Sequence, residues 1–361
     1  MYKQFLFLFL LFFSMISAQS TRINGFISDA ETGEVLMGAN VFLLETGQGM
    51  ATDRNGYYVL DGINSGDYTF VVSYLGYEEY RENFSFGEAD IINRNINLSP
   101  IILESEEVVV EGERIKRKVN IQPGKVNLSP RQIKGFPALA EPDIFRAIQA
   151  LPGVLTSSEF STGLIIRGGN TDQNLILLDG ITVYNPSHLG GVFSNFIVDA
   201  VKDAELIKGG YNAEYGGRLS AVLNVTSREG NRKKFDGSAN VSLLSAQTTL
   251  EGPFYKGAWL LAGRRTYIDK TLELANDLNL TDAKVPYYFY DIQGHIFSDL
   301  SNTDRLSLSF YGGLDDFNFD DLGFRANWGN QTFSLAYRKL FSDLVIGNFL
   351  LAASQFKTLF G

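Results

Sequence analysis

From Arg22 to about Leu98, apolar and polar residues change places every few positions. The runs RINGFIS, VLMGANVFLL, YYVL, YTFVVSYLGY and IINRNINL are short and β-prone, and turn clusters such as Asp29 to Gly33 and Asn55-Gly56 separate them. An Asn-Gly pair between two such runs predicts a hairpin. Tyr68, Phe70, Val72 and Tyr74 alternate with Thr69, Val71 and Ser73, so this strand has one heavy face to set against a second sheet. Residues 19–100 are therefore expected to form a small β-sandwich.

Between Asp143 and Gly230 the pattern becomes denser and is punctuated by glycine. Ile144, Ala147, Ile148 and Leu151 recur at helical spacing, with Pro142 at the entry and Pro152-Gly153 as a stop, and predict a helix. Leu164 to Arg167, Leu175 to Asp179, Glu205 to Lys208 and Ala221 to Thr226 are apolar runs of strand length bounded by Gly, Asn or Asp. Residues 128–230 thus read as a compact α+β unit.

Longer alternating segments follow in residues 231–361. Phe235 to Leu244, Ala246 to Pro253, Ala258 to Tyr267, Tyr287 to Ser298, Arg305 to Gly313, Ala326 to Arg338 and Leu344 to Lys357 fit transmembrane β-strands, which need about 9–11 residues. Short turns at Phe254 to Gly257, Asp299 to Asp304 and Lys339 to Asp343 interleave with long connections at Ile268 to Pro286 and Leu314 to Arg325. That asymmetry belongs to outer-membrane barrels, with their short periplasmic turns and long outer loops. Tyr287, Tyr288, Phe289, Tyr290, Phe317, Phe319, Phe324 and Trp328 would supply an aromatic girdle. A half-buried soluble sheet alternates in the same way and is the rival reading.

Composition narrows the chemistry. The chain has 361 residues, a formal net charge of -10, no cysteine and two histidines. An acidic balance argues against nucleic acid as a partner, and the one dense basic run, Arg114 to Lys118, reads as a solvated charge run. Without cysteine there are no disulfides or thiolate metal sites. His188 and His295 lie too far apart in sequence to suggest a zinc centre or a catalytic triad, so each is expected to be an ordinary polar residue. No catalytic, metal or cofactor site is expected. Asp315, Asp316, Asp320 and Asp321 fall in a candidate outer loop and read as a solvated acidic loop ahead of a cation site. At the start of the chain, Lys3, the apolar run Phe5 to Phe13 and then Ser17-Ala18 form a secretory signal peptide over residues 1–18. The run is shorter than the roughly 20 residues a membrane helix needs, and no cysteine follows for lipid attachment.

The order LPGV, IRGG, LLDG, LIKGG and AEYGGRLSAVLNV resembles the plug domain of TonB-dependent outer-membrane receptors. Arg167, Gly168, Gly169, Asp179, Gly180, Lys208, Gly209, Gly210, Tyr215, Gly216, Gly217 and Arg218 carry that resemblance. Taken singly, the glycine pairs could be tight turns ahead of a phosphate-cradling loop. The stretch TGEVLMGANVFLLETGQGMATDRNGYYVLDGINSGDYTFVVSYLGY resembles the carboxypeptidase regulatory-like domain that precedes the plug in receptors of the Bacteroidetes type. Residues 19–100 contain no histidine, so the resemblance brings no carboxypeptidase zinc site and implies a periplasmic accessory module. Within the linker 101–127, Glu106, Glu107, Val108, Val109, Val110, Glu111 and Gly112 look like a TonB box, a β-prone segment able to add a strand to TonB. The same residues could be the last strand of the sandwich or a linker strand.

The resemblance implies a mostly β, non-enzymatic import channel of the outer membrane. TonB with its inner-membrane energising complex would be the partner, along with outer-membrane lipid and, in some relatives, a surface lipoprotein. The imported ligand would be large or scarce, such as a siderophore, with a vitamin, peptide or glycan left open. A signal-transducing receptor and a secreted β-rich binding protein are the alternatives. Arg167 and Arg218 are candidates for plug-to-barrel ion pairs, or else surface charges. Such transporters close about 22 strands around the plug. The candidate strands fall well short of that, which leads to the expectation of an N-terminal part of a longer receptor or a truncated product.

Overall fold

The computed structural model describes residues 21–101, 124–137, 141–156, 158, 161–242, 244–282, 285–319 and 323–361. The signal peptide, the Glu106 to Gly112 segment, the Arg114 to Lys118 run and Asp320-Asp321 lie outside the described residues. The chain divides into two compact units, Met1–Lys118 and Val119–Gly361.

The first unit is the expected sandwich. One sheet sets β1 (Thr21–Asp29) between β4 (Tyr57–Ile63) and, on its other edge, β7 (Ile91–Asn93) and β8 (Ile96–Leu98). The other runs β3 (Gly49–Ala51), β2 (Asn40–Leu43), β5 (Gly66–Ser73), β6 (Tyr80–Phe86). Ile23, Ile27, Val41, Leu43, Tyr58, Phe70 and Val72 fill the space between, and Tyr68 and Tyr74 pack at its border, as the heavy face predicts. Two expectations are corrected. Asn55-Gly56 does not close a hairpin: it turns the chain from β3 to β4, which belong to different sheets, and the Asp53 carboxylate accepts the N–H groups of Asn55 and Tyr57 there. IINRNINL is not one strand either. β7 pairs with Arg22 to Asn24 and β8 with Ile27 to Asp29, and between them the Arg94 carbonyl rides so close over Gly25 that a Cβ would stand 2.0 Å from it.

The second unit opens with a five-stranded sheet in the order β13 (Ile181–Thr182), β12 (Leu175–Leu178), β17 (Val222–Ser227), β16 (Val201–Ile207), β9 (Lys125–Leu128). The sheet therefore takes in Lys125 to Asn127, which the sequence reading leaves in the linker. Helices α1 (Pro130–Lys134) and α2 (Ile144–Gln149) cover one face, with Ile144, Phe145, Ala147 and Ile148 packed against Ile176, Ala204, Leu206, Leu223 and Val225. Asp143, not Pro142, marks the start of α2: its Oδ1 accepts the N–H groups of Phe145 and Arg146. Two small hairpins complete this part, β10 (Val154–Thr156) with β11 (Leu164–Ile166), and β14 (Ser187–His188) with β15 (Phe193–Ser194).

Beyond Gly230, seven consecutive antiparallel strands form one sheet. They are β18 (Asp236–Val241), β19 (Ser245–Phe254), β20 (Gly257–Thr266), β21 (Tyr287–Asp299), β22 (Asp304–Phe319), β23 (Phe324–Ser342) and β24 (Val345–Phe360). The strand count matches the sequence pattern, but the expected outer loop Leu314 to Arg325 does not exist as a loop. β22 and β23 continue through most of it, pairing Asp315 with Trp328 and Phe317 with Ala326. The other long connection holds helix α3 (Ile268–Asp277). Among the described residues no helix is long and apolar enough to cross a membrane, which says nothing of strands.

Candidate functional site

The seven-stranded sheet wraps the α+β part with its polar face inward. The buried positions of β20 include Leu260, Ala262, Arg264 and Thr266, and those of β21 include Tyr287, Phe289, Asp291 and Gln293. Ser309, Tyr311 and Asp315 of β22 and Asn330, Thr332 and Ser334 of β23 continue this face. The intervening residues are apolar and open: Leu250, Leu261, Ile292, Phe310, Phe333 and Leu335 are 36–46% exposed. A soluble half-buried sheet shows the reverse, with its apolar side on the core. Apolar contact to the inner part runs through Ile197 and Ala200 on Leu260 and Ala262, through Phe193 on Tyr287 and Phe289, and through Tyr311, which joins the inner core. Two polar clusters lie beside these apolar contacts.

One cluster centres on Arg264. Its guanidinium meets Glu141 and the Ser194 carbonyl from the inner unit and, through Nη2, Asp291 Oδ2 of the neighbouring strand at 2.5 Å. Ser245 donates to the other Glu141 oxygen at 2.7 Å. Asp291 also receives the Tyr311 hydroxyl at 2.6 Å and faces His188 Nε2 at 2.9 Å, and His188 Nδ1 lies 2.7 Å from Asp315 Oδ2. The remaining Asp315 oxygen takes the Tyr287 hydroxyl and the Leu189 N–H. Phe289 stacks flat on the His188 ring, centroids 4.0 Å apart, and the Arg264 guanidinium lies 5.0 Å from the Phe289 ring centroid. Burial disfavours a charge on His188, but Asp291 and Asp315 outweigh it and raise the imidazole above its ordinary value.

A second cluster lies where the chain leaves the small sheet for β18. Arg228 forks onto Glu251 of β19 at 2.7 and 2.8 Å. Arg305 of β22 reaches Glu229 and Asp299 at 2.7 Å each, and Arg232 reaches the other Asp299 oxygen at 2.7 Å. Both guanidinium groups sit over the Phe297 ring, at 4.4 Å for Arg305 and 4.5 Å for Arg232. Burial opposes the Glu229 charge, yet Arg305, Lys202 and Arg232 hold its carboxyl at about 2.

The motif residues are placed mainly as turn makers. Asp179 and Gly180 both have positive φ, 52° and 80°, and close the β12–β13 hairpin as its two-residue loop. The Asp179 carboxylate also accepts the Ser227 N–H and hydroxyl, and Ser227 in turn accepts from Gln293 of β21 at 2.7 Å. Arg167 and Gly168 repeat the positive pair, 51° and 81°, with Gly169 N–H donating to the Ile166 carbonyl. At Gly169 a Cβ would stand 2.4 Å from Ser220 Oγ, so this glycine serves a close approach. Gly209, Gly210 and Gly217 also take positive φ, Lys208 Nζ donates to the Pro152 carbonyl at 2.5 Å, and Tyr215 packs beside Leu175, Leu177 and Val222 near Gly216.

Among the described residues, the ion pairs to the strands run through residues that the sequence reading did not single out. Arg167 is exposed with its guanidinium beside Gly209, and Arg218 is exposed and donates to the Gly217 carbonyl. Among the described residues Arg264, Arg305, Arg228 and Arg232 join the two parts, and His188 sits between Asp291 and Asp315. His188, expected to be ordinary, is 1% exposed between two aspartates, and Asp315 and Asp316, expected in a solvated loop, are buried strand residues. The aromatic girdle is likewise divided: Tyr287 and Phe289 turn inward and pack with Phe193, while Tyr290 is 41% exposed.

Comparison with known proteins agrees with this geometry. Residues 23–110 match the model of the CarboxypepD_reg-like domain, and residues 126–222 match that of the TonB-dependent receptor plug domain. The chain is 28% identical over 253 residues to the TonB-dependent transporter Oar of Myxococcus xanthus, covering 67% of this chain and 23% of that protein. It is 26% identical over 229 residues to the TonB-dependent receptor SusC of Bacteroides thetaiotaomicron, covering 59% and 21%. A solved structure, the siderophore receptor PirA from Pseudomonas aeruginosa, superposes with a TM-score of 0.49 at 17% identity over 66% of this chain and 41% of that one. The chain spans less than a quarter of the length of these two curated relatives. With an accessory sandwich, a plug and a wall of long strands in that order, the chain resembles the N-terminal part of a TonB-dependent receptor, and the curated relatives it matches are TonB-dependent receptors and transporters.

Proposed function

We propose that this chain serves energised import across the outer membrane, with the α+β part as a plug held against the strand wall and the sandwich on the periplasmic side. The observation that carries this reading is the inverted polarity of the seven-stranded sheet. Outward-facing apolar side chains such as Leu261, Ile292, Phe310, Phe333 and Leu335 are solvated by lipid at little cost, whereas a secreted binding protein would hold them in water. The polar seam suits a plug that must come loose, because hydrogen bonds and ion pairs lost on displacement are replaced by water, while a buried apolar interface would have no such substitute. A large, scarce solute such as a siderophore is the proposed ligand class; a glycan or peptide, relay of a signal inward, and a surface lipoprotein partner remain readings of the same architecture.

TonB is the proposed partner, through Glu106, Glu107, Val108, Val109, Val110 and Glu111. If this segment pairs as an extended strand, its backbone N–H groups carry the contact. Val109→Pro removes one donor, fixes φ near about -65° and restrains the preceding residue. Val109→Thr keeps the donor and the β-branching. In co-purification with the periplasmic domain of TonB, wild type and Val109→Thr are expected to retain it and Val109→Pro to lose it. Retention by Val109→Pro would show that the valine triplet is a linker strand and that TonB engages elsewhere.

A further inference from the structure

The two ring nitrogens of His188 each face a carboxylate. Nδ1 lies 2.7 Å from Asp315 Oδ2, and Nε2 lies 2.9 and 3.1 Å from the two oxygens of Asp291. A neutral imidazole has a single N–H, so it can donate to one of these partners and must turn a lone pair toward the other. An imidazolium donates to both. The groups facing the ring come from every element around it: Asp291 and Tyr287 of β21, Asp315 and Tyr311 of β22, Arg264 of β20, and Glu141 behind Arg264. Three carboxylates against one guanidinium leave this cluster at -2 (-3 + 1), and an imidazolium brings it to -1. Phe289 closes the ring's face, and His188 is 1% exposed, so solvent cannot make up for a lost proton locally.

We propose that His188 is a proton-operated clasp: its imidazolium ties the β14–β15 hairpin to β21 and β22, and loss of the ring proton loosens that hairpin, which keeps its Ser194 contact to Arg264, while the plug stays anchored at its exit through Glu229, Arg305 and Arg232. The proposal rests on reading this unit as a plug held by the strand wall. The contrast between the two clusters supports it. His188 is raised above its ordinary value of 6.5, so its contribution is complete below that value and is lost as pH rises through the folded one. Glu229 is held at about 2 against an ordinary 4.5, so its contribution is present above 4.5 and fades only as pH falls toward 2. Rising pH therefore loosens one end of the plug and leaves the other fixed.

The test uses the full chain in detergent micelles between pH 6 and 10, with nitrogen-15 histidine NMR to follow the ring and hydrogen exchange, corrected for its intrinsic pH dependence, to follow the backbone. At pH 7 both His188 nitrogens are expected to carry protons. Exchange in residues 187–194 is expected to rise about tenfold or more across the His188 titration, while residues 227–232 stay unchanged. In His188→Gln the step should vanish and residues 187–194 should exchange fast at every pH. Asp315→Asn, which leaves the Asp291 contact, should lower the titration midpoint, and it serves if the first variant does not fold. A neutral ring at pH 7, a titration without any change in exchange, or an unchanged step in His188→Gln would overturn the clasp. Protection that is present but indifferent to pH defeats the clasp alone, whereas no protection of either segment at any pH defeats the plug reading itself.

Discussion

Arg264 sits near the end of β20, on the same face as Leu260, Ala262 and Thr266, and is nearly inaccessible to solvent. Its stability there depends on three acceptors, the carboxylates of Glu141 and Asp291 and the Ser194 carbonyl. Removing the guanidinium would leave two carboxylates facing each other in a shielded seam, so Arg264→Met is expected to destabilise the unit by about 3–5 kcal/mol in denaturant unfolding. Arg218→Met, at an exposed turn, should stay within about 0.5 kcal/mol of wild type. Equal effects at the two positions would mean that the seam does not depend on the buried pair. The sequence pointed to Arg167 and Arg218 because they stand in glycine motifs, and motifs mark turns. Glu141 and Arg264 lie 123 residues apart, and nothing local joins them. The available signal was weaker: a charged residue in line with Leu260 and Ala262 on one side of a strand implies a partner across an interface. His188 gave no signal, since a lone histidine in a glycine-rich loop looks the same whether buried or free.

Elements were legible to the extent that short-range sterics decide them. Asp179-Gly180 became a two-residue turn because both positions need positive φ, which this pair tolerates. Asn55-Gly56 has the same chemistry and turned the chain between sheets instead, because a local dipeptide fixes a reversal without choosing which strands pair. Likewise, Leu314 to Arg325 looked like a loop through its glycine and aspartates, yet Asp315 is satisfied by His188, Tyr287 and Leu189, so the strands run on. In the sandwich, the break between β7 and β8 makes Gly25 the sensitive point. Gly25→Ala would press a methyl group into the Arg94 carbonyl, and backbone cannot rotate away as a side chain can. A loss of about 1–3 kcal/mol is expected in thermal or denaturant unfolding of this unit. A variant as stable as wild type would show that β7 and β8 are not held over β1 as described.

At the scale of the whole molecule, the order of sandwich, plug and strand wall was legible because each part has its own periodicity and punctuation. What alternation could not decide was which face of the strands meets solvent. A period of two is the same for a soluble sheet and a membrane wall; only the partner of the polar face separates them, and that partner is the plug, brought there by long-range packing. Leu335 turns this into a measurement. It lies outward on β23, opposite Leu308 on one side and Leu351 on the other, within the apolar band. In water, a charge at an exposed position costs within about 0.5 kcal/mol. In lipid, an arginine near the bilayer midplane costs about 2–4 kcal/mol. Leu335→Arg, compared with wild type by denaturant unfolding in phospholipid vesicles, is therefore expected to lose about 2–4 kcal/mol, while Ser334→Ala on the inward face should change far less. A loss at Leu335→Arg inside about 0.5 kcal/mol would place the apolar face in water and remove the membrane reading of the strand wall.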